Sequence, residues 1–357
     1  MKIKLDRALT HTLNSLPRGR LHTKPIVNLC NITSRHVTVD LNGNILLCSC
    51  DGWLPIPVGK VDDFDSLDDI WSSDHAKFLQ QNISDKKFTW CAVEHCGILY
   101  RNVVQSNFTL AINIDESCNL SCPSCRREMK MLDRGPEYDK KSKQMQHIIG
   151  WLTKFEQPIK ITLTGNGDPL ASKIIRSLIQ NYQPKSNQSF NLKTNGLLIK
   201  KLIESSPLKK SIVSYSISVD AGSQAVYETV RRPGRWSVLL ENLEWLEANK
   251  ENALVVLDFI VQKNNLDDMF LFADLCKKFG FTASYSALFD WGTWNSQSVS
   301  NPDAYTIANG TFLDHDVTNT SHPEHQKFVK ILNDLHNSNF SHVQLHNFFK
   351  KFLNGTR

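Results

Sequence analysis

No run of about 18 consecutive apolar residues occurs in this chain, so the sequence offers no candidate membrane-spanning helix. The opening stretch, MKIKLDRALTHTLNSLPRGR, lacks an apolar core of secretory-signal length, and a cytoplasmic location is expected. An excess of one charge is lacking too: 41 Lys and Arg face 36 Asp and Glu, a net charge of +5 over 357 residues. Nothing in that balance calls for a nucleic-acid partner. Repeats and low-complexity tracts are absent. Beyond Cys276 there is no cysteine, so the C-terminal part can supply no thiolate ligand. What the chain does have is nine cysteines, unevenly placed. In a cytosolic protein they read as metal ligands or reactive thiols rather than disulfides.

From residue 108 the sequence alternates between two textures. FTLAINID (108–115), IKITLTG (159–165), SFNLKTN (189–195), SIVSYSISVD (211–220), ALVVLDFIV (253–261) and FTASYSAL (281–288) read as buried strands. Helical periodicity marks 140–155, 171–182 and 236–249 between them. Six strands with helical crossovers predict an α/β fold with a parallel sheet, whose functional rim lies at the carboxyl ends of the strands. Residues 1–105 differ. HVTVDLNGNILLC (36–48) suits a hairpin, and SLDDIWSSDHAKFLQQ (66–81) a helix. The expected division is a cysteine-rich α+β domain at 1–105, the α/β domain at 106–290, and a helical extension at 291–357. Ser321 and Glu324, with Pro323 between them, predict a capped helix start in that extension.

The sharpest motif is DESCNLSCPSCRRE (115–128), with Cys118, Cys122 and Cys125 on one short loop after the first strand. Three thiolates can hold three corners of a [4Fe–4S] cube and leave the fourth iron open to a small molecule. A zinc knuckle completed by a distant ligand, or three core thiols, fits the bare spacing as well. The loop resembles the radical S-adenosylmethionine (SAM) superfamily, which places this spacing after the first strand of a partial (β/α)6 barrel. The resemblance implies a SAM-binding [4Fe–4S] cluster, SAM as cofactor, and hydrogen-atom abstraction from a substrate by a 5′-deoxyadenosyl radical.

Later strands continue the resemblance. TGNGDPL (164–170) is similar to the family's Gly-Gly-Glu-Pro segment, which implies that Gly165, Asn166, Gly167 and Asp168 lie near the SAM amino group; Asn166 and Asp168 depart from the family residues. KTNG (193–196) is similar to Thr-Asn-Gly, implying a ribose-facing role for Thr194 and Asn195. SISVDAGSQAVYETVRR resembles the Ser-x-Asp-Ala segment and its following helix. It implies that Ser218 and Asp220 face the barrel interior and that Arg231 meets the SAM carboxylate.

Cys30, Gly43 and Cys48, followed by VGKVDDFDSLDDIWSSDHAKF and then Cys91 and Cys96, resemble the SPASM and twitch auxiliary-cluster domains. In the family this domain usually follows the barrel; here it precedes it. The resemblance implies an auxiliary [4Fe–4S] cluster on Cys30, Cys48, Cys91 and Cys96, with Cys50 a fifth candidate. A structural zinc site suits four thiolates equally well.

The expected partners are a reductant such as flavodoxin or ferredoxin and a peptide or small sugar-like substrate, to be epimerised, oxidised or cross-linked; neither a membrane nor a nucleic acid is expected. The competing readings are a zinc-stabilised scaffold with a degenerate barrel, and a radical SAM methyltransferase. Cys276 shares a helical face with Met269, Phe272 and Ala273 and reads as a core thiol. His315, His322 and His325 suit a helix start better than a metal site. Trp291 and Trp294 fit either the barrel mouth or rim packing.

Overall fold

The computed structural model describes residues 30–48, 54, 56–91, 96, 105–164, 166–290, 309–338 and 340–353. Cys50, Gly165, Trp291 and Trp294 lie outside them. The chain forms two compact units, Met1–Glu116 with Leu132–Asn191 and Ser117–Met131 with Leu192–Arg357.

The first unit contains β1 (His36–Val39), β2 (Asn44–Leu46), β3 (Pro57–Lys60), α1 (Leu67–Ser72), α2 (Asp74–Ser84), β4 (Phe108–Ile112), α3 (Pro136–Lys154), β5 (Ile159–Leu163) and α4 (Lys173–Asn181), and β6 (Gln188–Thr194) begins in it. The expected hairpin forms between β1 and β2. Asp40 Oδ1 accepts from the N–H groups of Asn42 and Asn44 at 2.8 Å each, and Gly43 takes a φ of +76° that favours glycine. The helix expected at 66–81 is two helices. Ser73 is extended and caps the second, accepting from Ala76 N–H at 3.2 Å.

The boundary expected after residue 105 falls within this unit. β1 pairs in parallel with β4, His36 opposite Thr109 and Val39 opposite Ile112. Helix α3 opens with Pro136 after Gly135 at φ +94°, and carries Glu137 and Asp139 in its first turn, where the helix dipole favours acids. Its buried face holds the hairpin region: Lys141 Nζ donates to Leu41 O at 2.9 Å and Ile114 O at 3.0 Å, while Trp151 Nε1 and His147 Nε2 donate to Phe64 O at 2.9 and 2.7 Å. Parallel pairing between distant segments has no local sequence signature, so the periodicity of neither partner revealed it.

The second unit takes up the end of β6 and adds α5 (Ile199–Ile203), β7 (Ile212–Ser218), α6 (Gln224–Val230), α7 (Trp236–Asn249), β8 (Leu254–Val261), α8 (Met269–Phe279), β9 (Thr282–Ala287), α9 (Phe312–His315), α10 (His325–Asn337) and β10 (Val343–Leu345). All six strands expected from residue 108 onward form, and β7-β8-β9-β10 run parallel in that order. The fold is α/β with a parallel-sheet core. One face of these strands is buried and apolar: Tyr215, Ile217, Leu257, Phe259, Ala283 and Tyr285 are 0–2% exposed. The rings of Phe259, Phe272 and Tyr285 meet in tilted and edge-on contacts with centroids 4.9–5.4 Å apart, joining α8 to the sheet. Cys276 is fully buried in that layer, as its helical face implied. The opposite face carries half-buried Ser214, Ser216, Ser218, Asp258, Ser284 and Ser286.

Two details of the extension differ from expectation. β10 adds a strand beside β9 where only helix was expected; three residues are too few to show a period. Helix α10 begins at His325, and Glu324 caps it without a side-chain bond, so the expected capping box does not form. The N–H of Ser321 instead donates to Asn319 Oδ1 at 3.0 Å.

Candidate functional site

The 118–125 loop is built by its own backbone. Cys118 N–H donates to Lys130 O at 2.8 Å, a single antiparallel bridge. The N–H groups of Cys125 and Arg126 both donate to Cys122 O, at 2.9 and 3.0 Å, which folds Cys122 and Cys125 into one turn. Ser121 N–H donates to Arg232 O at 2.8 Å and Arg232 Nε returns a bond to Ser121 O at 2.9 Å, clamping the loop to the end of α6. Cys118 and Cys122 are buried; Cys125 is exposed.

The other expected residues of this unit gather as follows. Asn195 Nδ2 donates to Asn119 Oδ1 at 2.8 Å and lies 3.9 Å from Cys118 Sγ. Thr194 Oγ1 accepts from Gly196 N–H at 3.2 Å, so the Thr-Asn-Gly turn is partly self-held. Gly196 has φ +88°, and a Cβ there would come 2.8 Å from Ile217 Cγ2. Leu197 then packs on Cys118, Leu120 and Cys122. Asp220, in the left-handed region at φ +57°, accepts from Ile260 N–H at 2.7 Å and pairs with Arg231 Nη2 at 2.6 Å. Arg231 Nη1 reaches Cys122 Sγ at 3.8 Å. Ser218 ends β7 opposite Asp258, whose carboxylate accepts from Ser216 Oγ.

Charge explains the cluster of arginines. Burial works against the Arg231 charge, but the Asp220 carboxylate and the Cys122 thiol outweigh it and raise its pKa. Burial lifts the Asp220 carboxyl, while Arg231 and the Ile260 N–H pull it down. Beside a guanidinium that does not deprotonate, the pair is ionic near neutral pH. Burial raises the Cys122 thiol, opposed by Arg231. Arg126 behaves like Arg231: burial opposes its charge, yet Cys125, Cys118 and Cys122 together raise its pKa. Arg126, Asn119 and Arg232 were not among the residues expected from sequence. The Arg126–Arg127 pair directly after the last cysteine was the available signal, since thiolates need nearby cations.

The first unit holds the remaining candidates. Asn166 is exposed, Gly167 half-buried and Asp168 buried. Asp168 Oδ1 accepts from Leu170 N–H at 2.9 Å and its carbonyl from Ala171 and Ser172 at 3.0 Å, forming the turn into α4. Cys30 and Cys91 are half-buried, and Cys48 and Cys96 buried. Burial, and then the neighbouring Cys48, Cys30 and Cys96, push the Cys91 thiol up to about 12. Burial likewise raises Cys30, opposed by the Ile32 N–H and reinforced by Cys96. The four thiols therefore sense one another; among the described residues, Cys118, Cys122 and Cys125 included, no group of three His, Cys, Asp or Glu is gathered about a single ion position.

The histidines of the extension are staples. His315 Nε2, His322 Nε2 and His325 Nδ1 donate to the carbonyls of Asn309, Asp314 and Val317 at 2.5, 3.0 and 2.9 Å. Their rings hold the 309–317 segment, in keeping with a helix start.

The donor sets fit the groups expected of them. Three thiols on one loop, flanked by Arg126 and Arg231, fit a metal cluster with an open corner. Arg231 Nε is buried and has no hydrogen-bond partner among the described residues, as a donor awaiting a carboxylate would be. Cys30, Cys48, Cys91 and Cys96, near enough to disfavour one another's thiolate forms, suit a cationic metal body that would hold all four as thiolates.

A model of the radical SAM superfamily matches residues 112–276, and one of the SPASM iron–sulfur cluster-binding domain matches residues 30–97. The chain thus carries a radical SAM domain with a SPASM domain N-terminal to it, a pairing that implies [4Fe–4S] clusters and SAM. Among curated proteins it is similar to a probable GTP 3′,8-cyclase of Methanococcus vannielii, 26% identical over 176 residues, 47% of this chain and 54% of that one. A second, from Methanocaldococcus jannaschii, is 25% identical over 173 residues, 48% and 56% of the two chains. The chain spans about half the length of these relatives. Among solved structures it resembles native anSMEcpe with bound AdoMet and Cp18Cys peptide (TM-score 0.44, 18% identity, 70% of this chain and 66% of that chain). It also resembles TYW1 with a lysine-pyruvate adduct bound (0.34, 20%, 48% and 62%). Among the described residues no helix is long and apolar enough to cross a membrane.

Proposed function

We propose that the protein is a cytoplasmic radical SAM enzyme whose Cys118, Cys122 and Cys125 hold a SAM-binding [4Fe–4S] cluster, and that it abstracts a hydrogen atom from a peptide or small sugar-like substrate. The outcome would be epimerisation, oxidation or cross-linking. The observation that carries this reading is the second unit's loop: three thiols on one loop, two arginines beside them, and a buried Arg231 Nε without a hydrogen-bond partner. When bound, the cluster and SAM supply the radical chemistry.

The chain's own residues have simpler tasks. Arg231, held by Asp220, offers Nε to the SAM carboxylate and compensates thiolate charge at Cys122. Arg126 does the same at Cys125. Asn195 fixes the loop through Asn119. Thr194 and Asn195 are assigned to the ribose, and Ser218 to the barrel interior. Asp168 and its neighbours Gly165, Asn166 and Gly167 are assigned to the SAM amino group. Cys30, Cys48, Cys91 and Cys96, with Cys50 as an alternative ligand, hold the auxiliary [4Fe–4S] cluster. A flavodoxin- or ferredoxin-type reductant completes the system. The SPASM pairing supports a peptide or sugar-like substrate class.

The test is metal and product analysis after anaerobic reconstitution. Wild type is expected to hold about eight irons per chain and a Cys118/Cys122/Cys125→Ala variant about four, with 5′-deoxyadenosine formed from SAM and dithionite only by wild type. Zinc in place of iron, with no deoxyadenosine, would sink the proposal in favour of a structural scaffold.

A further inference from the structure

Strands β7, β8, β9 and β10 of the second unit carry a single charged side chain, Asp258. It is half-buried, on the face opposite the aromatic layer. The parallel register sets it in a polar row: Ser218 is opposite Asp258, Asp258 opposite Ser284, and Ser284 opposite Gln344. Residues paired in this way point to the same side of a sheet, so the four side chains share one face. Ser216, the next residue back along β7 on that face, donates its hydroxyl to Asp258 Oδ2. Among the described residues Asp258 Oδ1 has no hydrogen-bond partner, and no cation pairs with the carboxylate. Arg231 is held by Asp220, two residues beyond Ser218. Besides burial, the Asp258 charge raises the Asp220 carboxyl, so the two carboxylates sense one another.

We propose that Asp258 is the specificity-determining residue of the substrate site, and that the substrate presents a primary ammonium group to it, carried by a lysine-type side chain or by an amino sugar. The inference rests on the radical SAM reading and narrows its substrate class. A carboxylate held half out of water gains most from an opposite charge, and these four strands supply none. An alkylammonium brings one positive charge and three N–H donors. Asp258 Oδ1 can accept the first, and the hydroxyls of Ser218 and Ser284 with the amide oxygen of Gln344 are acceptors for the others. A neutral ligand would leave the carboxylate uncompensated, and a phosphate-bearing ligand would be repelled by it. The row is linked to the cysteine loop within the same unit: Asp220 follows Ser218 by two residues and pairs with Arg231, whose Nη1 lies 3.8 Å from Cys122 Sγ.

The probes are two matched pairs, titrated onto the full reconstituted chain with SAM present and followed by ligand-observed NMR: Nα-acetyl-lysine amide against Nα-acetyl-norleucine amide, and glucosamine against glucose. Wild type is expected to bind the amine of one pair about tenfold or more tighter than its neutral match, and the pair that shows the preference identifies the source of the ammonium. Asp258→Asn keeps the shape of the side chain and removes its charge; the preference should shrink to about twofold or less. Asp258→Glu should restore part of it. Ser284→Ala should weaken the amine probe about threefold and leave its neutral match as in wild type.

Wild-type protein that prefers neither amine overturns the proposal, as does an Asp258→Asn variant that keeps the full preference. SAM affinity is measured on the same samples; a loss there as large as the loss on the amine probe would place Asp258 at SAM and overturn the assignment to substrate. Should Asp258→Asn not fold, the difference between the two probes of the preferred pair in Ser284→Ala decides: equal losses on both overturn the row as an ammonium site. Failure of the underlying radical SAM reading looks different: no deoxyadenosine from wild type with SAM and dithionite, whatever the binding preference.

Discussion

The two cysteine groups of this protein live in opposite electrostatic settings. In the second unit Cys122 and Cys125 have guanidinium partners, Arg231 and Arg126, held close by an ion pair and by a backbone turn. In the first unit burial and mutual repulsion dominate, and Cys91 is pushed up to about 12. A site that must keep one position open for a ligand cannot rely on a fourth thiolate, so protein cations stabilise its charge. A site closed by four thiolates can leave that work to the metal body itself.

The comparison breaks most sharply at Asp220. Asp220→Ala would leave Arg231 buried and unpaired beside Cys122, and should cost about 3–5 kcal/mol in urea unfolding. SAM affinity should fall as well. A stability loss within experimental error would mean that Arg231 is held by something other than the ion pair.

The next effect belongs to the first unit and is set by pH. His36 is buried, its ring nitrogens bonded to Thr109 and Thr38 at 2.6 and 2.7 Å, and burial lowers its pKa from 6.5 to about 4. Above pH 6.5 both folded and unfolded chains carry a neutral imidazole, and the contribution is complete. Between 6.5 and about 4 only the unfolded chain takes up the proton, so stability falls as pH falls, by about 3 kcal/mol in full and about 2 by pH 5. Urea midpoints from pH 7.5 to 5 should show that slope, and His36→Gln should flatten it. An unchanged slope in the variant would assign it to other groups.

Gly222→Ala probes the frame of the second unit. A Cβ there would fall 2.2 Å from Phe272 N, where Asp268 Oδ2 already accepts from the N–H groups of Gly222 and Ser223 at 2.8 Å. About 1–3 kcal/mol should be lost, read as a lower melting temperature. The smallest change is Trp151→Phe, which removes one bond to Phe64 O and should cost about 1 kcal/mol; no loss at all would show that His147 alone suffices there.

Much of this was legible in one dimension. The strand periods from 108 to 288, the Asp40–Asn44 turn and the three-cysteine spacing depend on neighbours in sequence, and local patterns carry them. The same holds for the order of the two domains, with the SPASM segment first. What the sequence could not express is which distant groups meet. The parallel pairing of β1 with β4, the three-residue β10, the placing of Arg126 and Arg231 beside thiols, and the use of the extension's histidines as backbone staples were decided only in three dimensions. The physical reason is common to all four: burial removes water, and each buried charge or polar group must then take whatever partner the fold brings within reach.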